Sequence, residues 1–140
     1  MPDEPTPDPT STTDPARAPD PRRALGALGE DLACAHLRRR GYEIVDRNFR
    51  TRWGELDIVA SDGRSLVFCE VKCRRASRSW RDPLESVHTN KQVRLRRMAG
   101  QWLAEHRDRP RRAELRFDAI GVTVDAEGRL LRLDHLEAAF

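Results

Sequence analysis

Two short runs near the middle of the chain, Glu55-Leu-Asp-Ile-Val-Ala-Ser61 and Arg64-Ser-Leu-Val-Phe-Cys-Glu-Val-Lys72, flank the dipeptide Asp62-Gly63. Alternating apolar residues around such a dipeptide predict a β-hairpin. A two-residue turn pairs Ala60 with Ser65, Asp57 with Phe68 and Glu55 with Glu70; a register slid by two residues keeps the same faces. In either register one face carries Leu56, Ile58, Val67, Cys69 and Val71. The other carries Val59, Leu66 and Phe68 near the turn, and Glu55, Asp57, Glu70 and Lys72 at the far end. Opposed side chains across an antiparallel ladder lie about 5 Å apart and diagonal ones about 7–8 Å. Carboxylates that close repel unless a cation sits between them. Hard oxygen ligands suit Mg²⁺ or Mn²⁺, which draw further ligands from water and phosphate oxygens. Lys72, two residues beyond Glu70 and on the same face, can orient a water or stabilise charge on a phosphate. A salt-bridged polar patch explains one acid–lysine pair, but less naturally three acids beside a single lysine.

The elements that must position these residues are legible on either side. Arg22 to Arg40 reads as a helix stopped by Gly41. Within it Glu30 begins a stripe with Ala33, Cys34 and Leu37, so this acid points towards packed neighbours. Tyr42 to Arg50 is expected to be a first strand. Asp82-Pro-Leu-Glu85 resembles a helix start, and Thr89-Asn-Lys-Gln92 a second one with a capping box. The helix then runs to about Arg107, with Leu95, Met98, Ala99, Trp102 and Leu103 facing the core and Lys91 and Gln92 on its inward side. Strands are expected at Leu115–Val124 and Arg129–Leu136. A strand–helix–strand crossover from 65 to 124 joins parallel strands, whereas the three earlier strands form an antiparallel meander. The predicted fold class is α/β, a mixed central sheet flanked by helices, in the order αβββαββ.

Charge points to a polyanionic partner. The net charge is +3 from 26 basic and 23 acidic residues. The first 21 residues hold five of the acids, one arginine and seven of the nine prolines, leaving a surplus of seven positive charges on the remainder. So proline-rich and apolar-poor a segment cannot offset its ordering entropy, and residues 1–21 are expected to be a disordered tail preceding one domain over 22–140. Arg47, Arg50, Arg52 and Trp53 precede the acidic end of the second strand, and Arg74, Arg75, Arg78, Trp80 and Arg81 follow that of the third. Arginine binds phosphates and tryptophan stacks on exposed bases. Twenty-four of the basic residues are arginine, and Lys72 and Lys91 are the two lysines. Three cysteines without Cys-x-x-Cys spacing exclude a disulfide framework and a structural zinc site, and reduced thiols suit the cytoplasm. The four histidines are scattered, and none reads as a zinc ligand. No apolar run approaches a membrane span, so no membrane partner is expected.

Asp57, followed about a dozen residues later by Glu70-Val-Lys72 on a hairpin, resembles the PD-(D/E)xK nuclease signature. The wider set resembles the YraN family of bacterial proteins. It comprises Gly29-Glu30, Asn48-Phe-Arg-Thr-Arg-Trp-Gly54-Glu-Leu-Asp57, Leu66-Val-Phe-Cys-Glu70-Val-Lys72, Pro83-Leu-Glu-Ser-Val87, Lys91 and Arg116-Phe-Asp118. The likeness covers residues 22 to about 136. It implies a restriction-endonuclease-like three-layer α/β/α fold and a Mg²⁺-dependent nuclease or nucleic-acid-binding role. Carried over, Asp57 and Glu70 would be metal ligands and Lys72 the catalytic lysine. Glu30 would join through a metal-bound water, and Gln92 or Lys91 would be the polar helix residue beside the site. The residues before Asp57 are Glu55-Leu56, not the proline of the signature.

The resulting expectation is hydrolysis of phosphodiester bonds in structured or single-stranded nucleic acid, DNA ahead of RNA. The binding surface would comprise Arg50, Arg52, Trp53, Arg74, Arg75, Arg78, Trp80 and Lys91. The alternative is a non-catalytic nucleic-acid-binding or scaffold protein that keeps the fold. An enzyme of small phosphorylated molecules is disfavoured by the lack of a glycine-rich phosphate loop. A homodimer is left open.

Overall fold

The computed structural model describes residues 20–77, 89–112 and 114–140. Seven elements follow one another: α1 (Pro21–Arg39), β1 (Glu43–Thr51), β2 (Gly54–Ser61), β3 (Ser65–Arg75), α2 (Thr89–Glu105), β4 (Glu114–Val124) and β5 (Leu130–Leu136). This is the αβββαββ order. The strands form one sheet in the order β1-β2-β3-β4-β5. Only the β3–β4 pair is parallel, and the other three pairs are antiparallel. The helix start expected at Asp82–Glu85, and the arginine and tryptophan at 78 and 80, lie outside the described residues.

Local chemistry explains where α1 begins and ends. The Asp20 carboxylate accepts a hydrogen bond from the Arg22 amide at 3.0 Å, and Pro21 occupies the first turn, where its missing N–H has no consequence. Asp20 and Pro21 therefore form the cap and first turn of α1. At the other end Gly41 adopts φ +87°. The Tyr42 amide then reaches back to the Leu37 carbonyl at 2.9 Å, closing the helix as a Schellman motif does.

Each helix covers one face of the sheet. Ala33, Cys34 and Leu37 of α1 pack on Ile58, Val67, Cys69, Ile120 and Val122. Leu95, Met98, Ala99 and Trp102 of α2 pack on Val59, Leu66, Phe68 and Phe117. Alternate residues of β3 enter opposite clusters, as the pleat requires, and the result is the three-layer α/β/α arrangement of a restriction-endonuclease-like core. Trp102 is fully buried and donates its indole N–H to Asp46 at 2.8 Å, fastening α2 to β1.

Two details of the hairpin differ from expectation. The β2–β3 register pairs Val59 with Phe68 and Ser61 with Leu66, which is the alternative slid by two residues. Asp62 is the cause. Its carboxylate accepts from the amides of Arg64 (2.9 Å) and Ser65 (2.6 Å), so it flanks the turn, and Gly63 takes the bend with φ +92°. The second difference concerns Leu56, which packs in the α2 cluster and not beside Ile58 in the α1 cluster. Between the pairs Arg47–Ile58 and Phe49–Leu56, Asn48 of β1 adopts φ +56°, a left-handed conformation that asparagine tolerates. The alternation of β2 is broken beside it, at Asp57.

α1 also approaches β3 unusually closely. A Cβ built on Gly29 would stand 2.5 Å from the Cys73 Cβ, so only glycine fits. Gly29→Ala should destabilise the protein by about 1–3 kcal/mol through overpacking, measurable as a lower midpoint in urea. Adding Cys73→Gly should recover part of that loss by removing the opposing atom. Absence of a stability change in the single variant would contradict this contact.

Candidate functional site

The β2–β3 ladder ends at the Ile58–Cys69 pair, although β3 continues to Arg75 and β2 begins at Gly54. Where the next rung would fall, the Val71 amide donates to the Asp57 carboxylate at 2.8 Å. A side chain has replaced a backbone acceptor, and beyond it β2 stays paired with β1 alone. The gap is faced by α1, which contributes Glu30, and by the first residues of β2, which contribute Glu55. One carboxylate oxygen from each of Glu30, Glu55 and Asp57 lies within 4.8 Å of the others. Three acids from two elements thus converge at a point where the sheet opens.

These acids share a cavity of about 340 Å³ with Glu70, Lys72 and Arg94. Gly26, Gly54 and Met98 complete much of its wall. Glu70 is largely buried and accompanied by both lysines of the chain. Its Oε1 lies 3.5 Å from Lys72 Nζ and 3.4 Å from Lys91 Nζ. Of the two polar α2 positions singled out in the sequence, Lys91 makes the contact with Glu70, and Gln92 is half-buried beside it. Burial lowers the Lys91 pKa, as does neighbouring Lys72, while Glu70 pulls it back up.

The structure therefore gathers Glu30, Asp57, Glu70, Lys72 and Lys91 in one region and adds Glu55. Sequence reasoning placed Glu55 on the acidic face but assigned it no role. The signal was present in its period-2 spacing from Asp57. Its meeting with Glu30 required the helix to be docked.

The basic residues divide by environment. Arg50 is 79% exposed and pairs with Glu55 at 3.7 Å, on the border of the acidic cluster. Arg52 stacks over Trp53 with its guanidinium carbon 4.4 Å from the ring centroid. Trp53 packs partly against the α2-side core, so only part of its ring is available. Arg74 is half-buried, and Arg75 donates to the carbonyls of Asp125 and Ala126, tying β3 to the β4–β5 turn. Arg47 turns inward to Asp31 (2.8 Å) and Glu30 (3.9 Å), holding α1 against β1. Arg78 and Trp80 fall outside the described residues.

A second polar cluster escaped the sequence reading because its members are far apart in the chain. Asp118 is fully buried and accepts from Arg116 twice (2.9 Å each), from the Ala138 amide (2.9 Å) and from His135 Nε2 (2.8 Å). His135 Nδ1 then faces His36 Nε2 at 3.2 Å. Two histidines that look scattered in sequence thus meet in space. Burial alone would raise the Asp118 pKa, but the bonds from His135, Arg116 and Ala138 outweigh it and leave the pKa lowered.

Asp57 shows the opposite balance. Burial pushes its pKa up to about 7, and although the Val71 amide pulls it down, Glu30, Glu70 and Glu55 push further up. Glu30 is also raised, by burial first and Glu55 second. The folded state consequently holds the Asp57 proton more tightly than the unfolded chain does. This contribution is fully present below the ordinary value of 3.8 and is lost as pH rises through about 7. Asp57→Asn retains an acceptor for Val71 and removes the charge. In chelator it should raise the melting temperature at pH 8 and lose that advantage by pH 5. Equal shifts at both values would show that Asp57 is not destabilised as a carboxylate.

Residues 29–122 match the family described as "Uncharacterised protein family UPF0102". A UPF0102 protein of Frankia casuarinae is 48% identical over 118 residues, covering 84% of this chain and 96% of its own. One from Rhodococcus jostii is 44% identical over 118 residues, with the same two coverages. One from Streptomyces griseus is 48% identical over 107 residues, 76% of this chain and 88% of its own. The matched span starts at the Gly29-Glu30 pair and contains every acid of the cavity and both lysines of the chain. The chain belongs to the UPF0102, or YraN, family.

Proposed function

We propose that this protein is a Mg²⁺- or Mn²⁺-dependent nuclease that hydrolyses phosphodiester bonds in structured or single-stranded nucleic acid, with DNA ahead of RNA. The observation that carries the reading is a single cavity holding the Glu30, Glu55 and Asp57 carboxylates beside Glu70 and Lys72. The donor set fits the ion, because it consists of hard oxygens whose mutual repulsion is only partly offset, by Arg47 at Glu30, Arg50 at Glu55 and the Val71 amide at Asp57. Glu30, Glu55 and Asp57 would hold it, with Glu70 as a fourth carboxylate facing the same space. The bound ion would polarise a phosphate oxygen and offset its charge.

The chain's own residues would do the rest. Lys72, oriented by Glu70 at 3.5 Å, directs a compact donor at the charge that grows on the phosphate. Lys91 sets a positive charge 3.4 Å from Glu70 Oε1, from α2, where that side chain is largely buried. Arg50 and Arg94 draw phosphate towards a cavity whose acids would otherwise repel it. With no recognisable base-reading module, selectivity by nucleic-acid shape is the better expectation than selectivity by sequence.

Two measurements separate chemistry from binding. Asp57→Ala or Glu70→Ala should abolish cleavage and leave metal-free nucleic-acid binding intact or tighter, because deleting a carboxylate removes a repulsion. Lys72→Ala should lower the cleavage rate by about 10²–10³-fold while Mn²⁺ affinity, read by calorimetry, is retained. Lys72→Arg should fail as well, since a guanidinium fork does not fill the space of an ammonium. Substantial activity in Lys72→Arg would remove the assigned role. Mn²⁺ heats indistinguishable between the wild type and an Asp57→Ala/Glu55→Gln variant would move the metal elsewhere and favour the non-catalytic binding scaffold.

A further inference from the structure

Two glycines of α1 stand three residues apart and differ in what surrounds them. Gly29 is required by the Cys73 contact. A Cβ on Gly26, by contrast, would meet nothing within 4 Å, and its φ is not left-handed. Neither packing nor backbone conformation calls for glycine there, and glycine inside a helix is less stable than alanine. Gly26 nevertheless occupies a particular place. It lines the site cavity, and it also lines a second, adjoining cavity of about 410 Å³. Glu30 and Glu55 line both as well.

The charges along this pair of cavities are ordered. Lys72 and Arg94 border the first with Asp57 and Glu70, Glu30 and Glu55 stand where the two meet, and Arg23 and Arg50 border the second together with Asn48. Cationic side chains therefore flank the acidic cluster on both sides, and bare helix backbone lies between them. Such an arrangement suits a polyanion that continues past the acids in both directions. It does not suit one that ends there.

We propose that one nucleic-acid strand lies along both cavities, crossing α1 at Gly26, with phosphates held by Arg94 and Lys72 on one side of the acids and by Arg23 and Arg50 on the other. The proposal rests on the nuclease reading and narrows its substrate to internal positions of a single strand or an unpaired stretch. Gly26 is then a positioning residue that lets the sugar–phosphate chain approach the helix, and Arg23 is a phosphate contact. A side chain at position 26 would occupy the space the strand needs without disturbing the fold.

The test pairs stability with binding, using Gly26→Ala, Gly26→Leu and Arg23→Ala in the full chain. The probe is a fluorescein-labelled oligothymidylate read by anisotropy in Ca²⁺, which accepts oxygen ligands in a looser geometry than Mg²⁺. Gly26→Ala should melt at the wild-type temperature or above it. Gly26→Leu should keep its fold and weaken oligonucleotide binding by about tenfold or more, equivalent to about 1.4 kcal/mol. Arg23→Ala should reduce the slope of log affinity against log salt by about 0.7, the loss of one single-strand phosphate contact. Wild-type affinity in Gly26→Leu would overturn the strand path and leave the nuclease reading standing. So would a large fall in melting temperature for Gly26→Ala, because the glycine would then have a structural reason. A wild-type protein that does not bind the oligothymidylate would likewise overturn the strand path, and one that also fails to bind a labelled duplex or junction would overturn the nuclease reading.

Discussion

The hydrogen bond from the Val71 amide to the Asp57 carboxylate takes the place of the next rung in the β2–β3 ladder. A sheet continued in register there would put backbone against backbone and leave no room. Because a side chain accepts the amide, the strands part while the buried donor is still satisfied, as it must be. β2 is then free to follow β1, where the left-handed Asn48 turns it and Glu55 comes to face α1. The close docking of α1 on β3 through Gly29 brings Glu30 to the same gap. The acidic cluster is the joint product of one displaced hydrogen bond and one helix packed without a Cβ.

Two aspartates of this protein show how surroundings stabilise one buried carboxylate and oppose another. Asp118 is completely enclosed, yet Arg116, His135 and a backbone amide supply donors on both oxygens, and its charge is stabilised. It pins β4 to β5 and to the chain beyond it. Asp57 has one backbone donor and three neighbouring carboxylates, and its charge is opposed. A fold gains nothing from that second arrangement by itself, since like charges held together favour the protonated or unfolded state. The imbalance acquires a purpose if a cation completes the site. Sites of function commonly retain destabilising features of this kind.

The basic residues follow the same division. Arg116, Arg75 and Arg47 have partners that hold secondary structure together, through Asp118, the β4–β5 turn and the acids of α1 respectively. Arg50 stands at the acidic cluster with most of its guanidinium in water. A positive surplus read from composition is therefore partly internal wiring. Arg23, Arg50 and Arg94 border the two cavities and are exposed, and other exposed arginines, Arg38, Arg39, Arg96 and Arg97 among them, lie away from those cavities.

The sequence by itself determined the order of elements, the faces of β3 and the identity of most charged residues in the cavity. These follow from short-range rules: period-2 alternation in 65–72, the apolar stripe and capping box of α2, and the glycine that ends α1. It also marked Glu30 as an inward acid, from helical spacing alone. Three things needed the tertiary structure. The hairpin register was ambiguous by two residues until the Asp62 carboxylate captured two turn amides. Leu56 changed faces because a left-handed residue on the neighbouring strand, not its own spacing, decided where it packed. The meetings of Glu55 with Glu30 and of His36 with His135 join residues 25 and 99 positions apart. Periodicity reports which way a side chain points from its own element. Which distant side chain it meets depends on how closely two elements dock, and here a missing Cβ at Gly29 and a displaced rung at Asp57 set that distance.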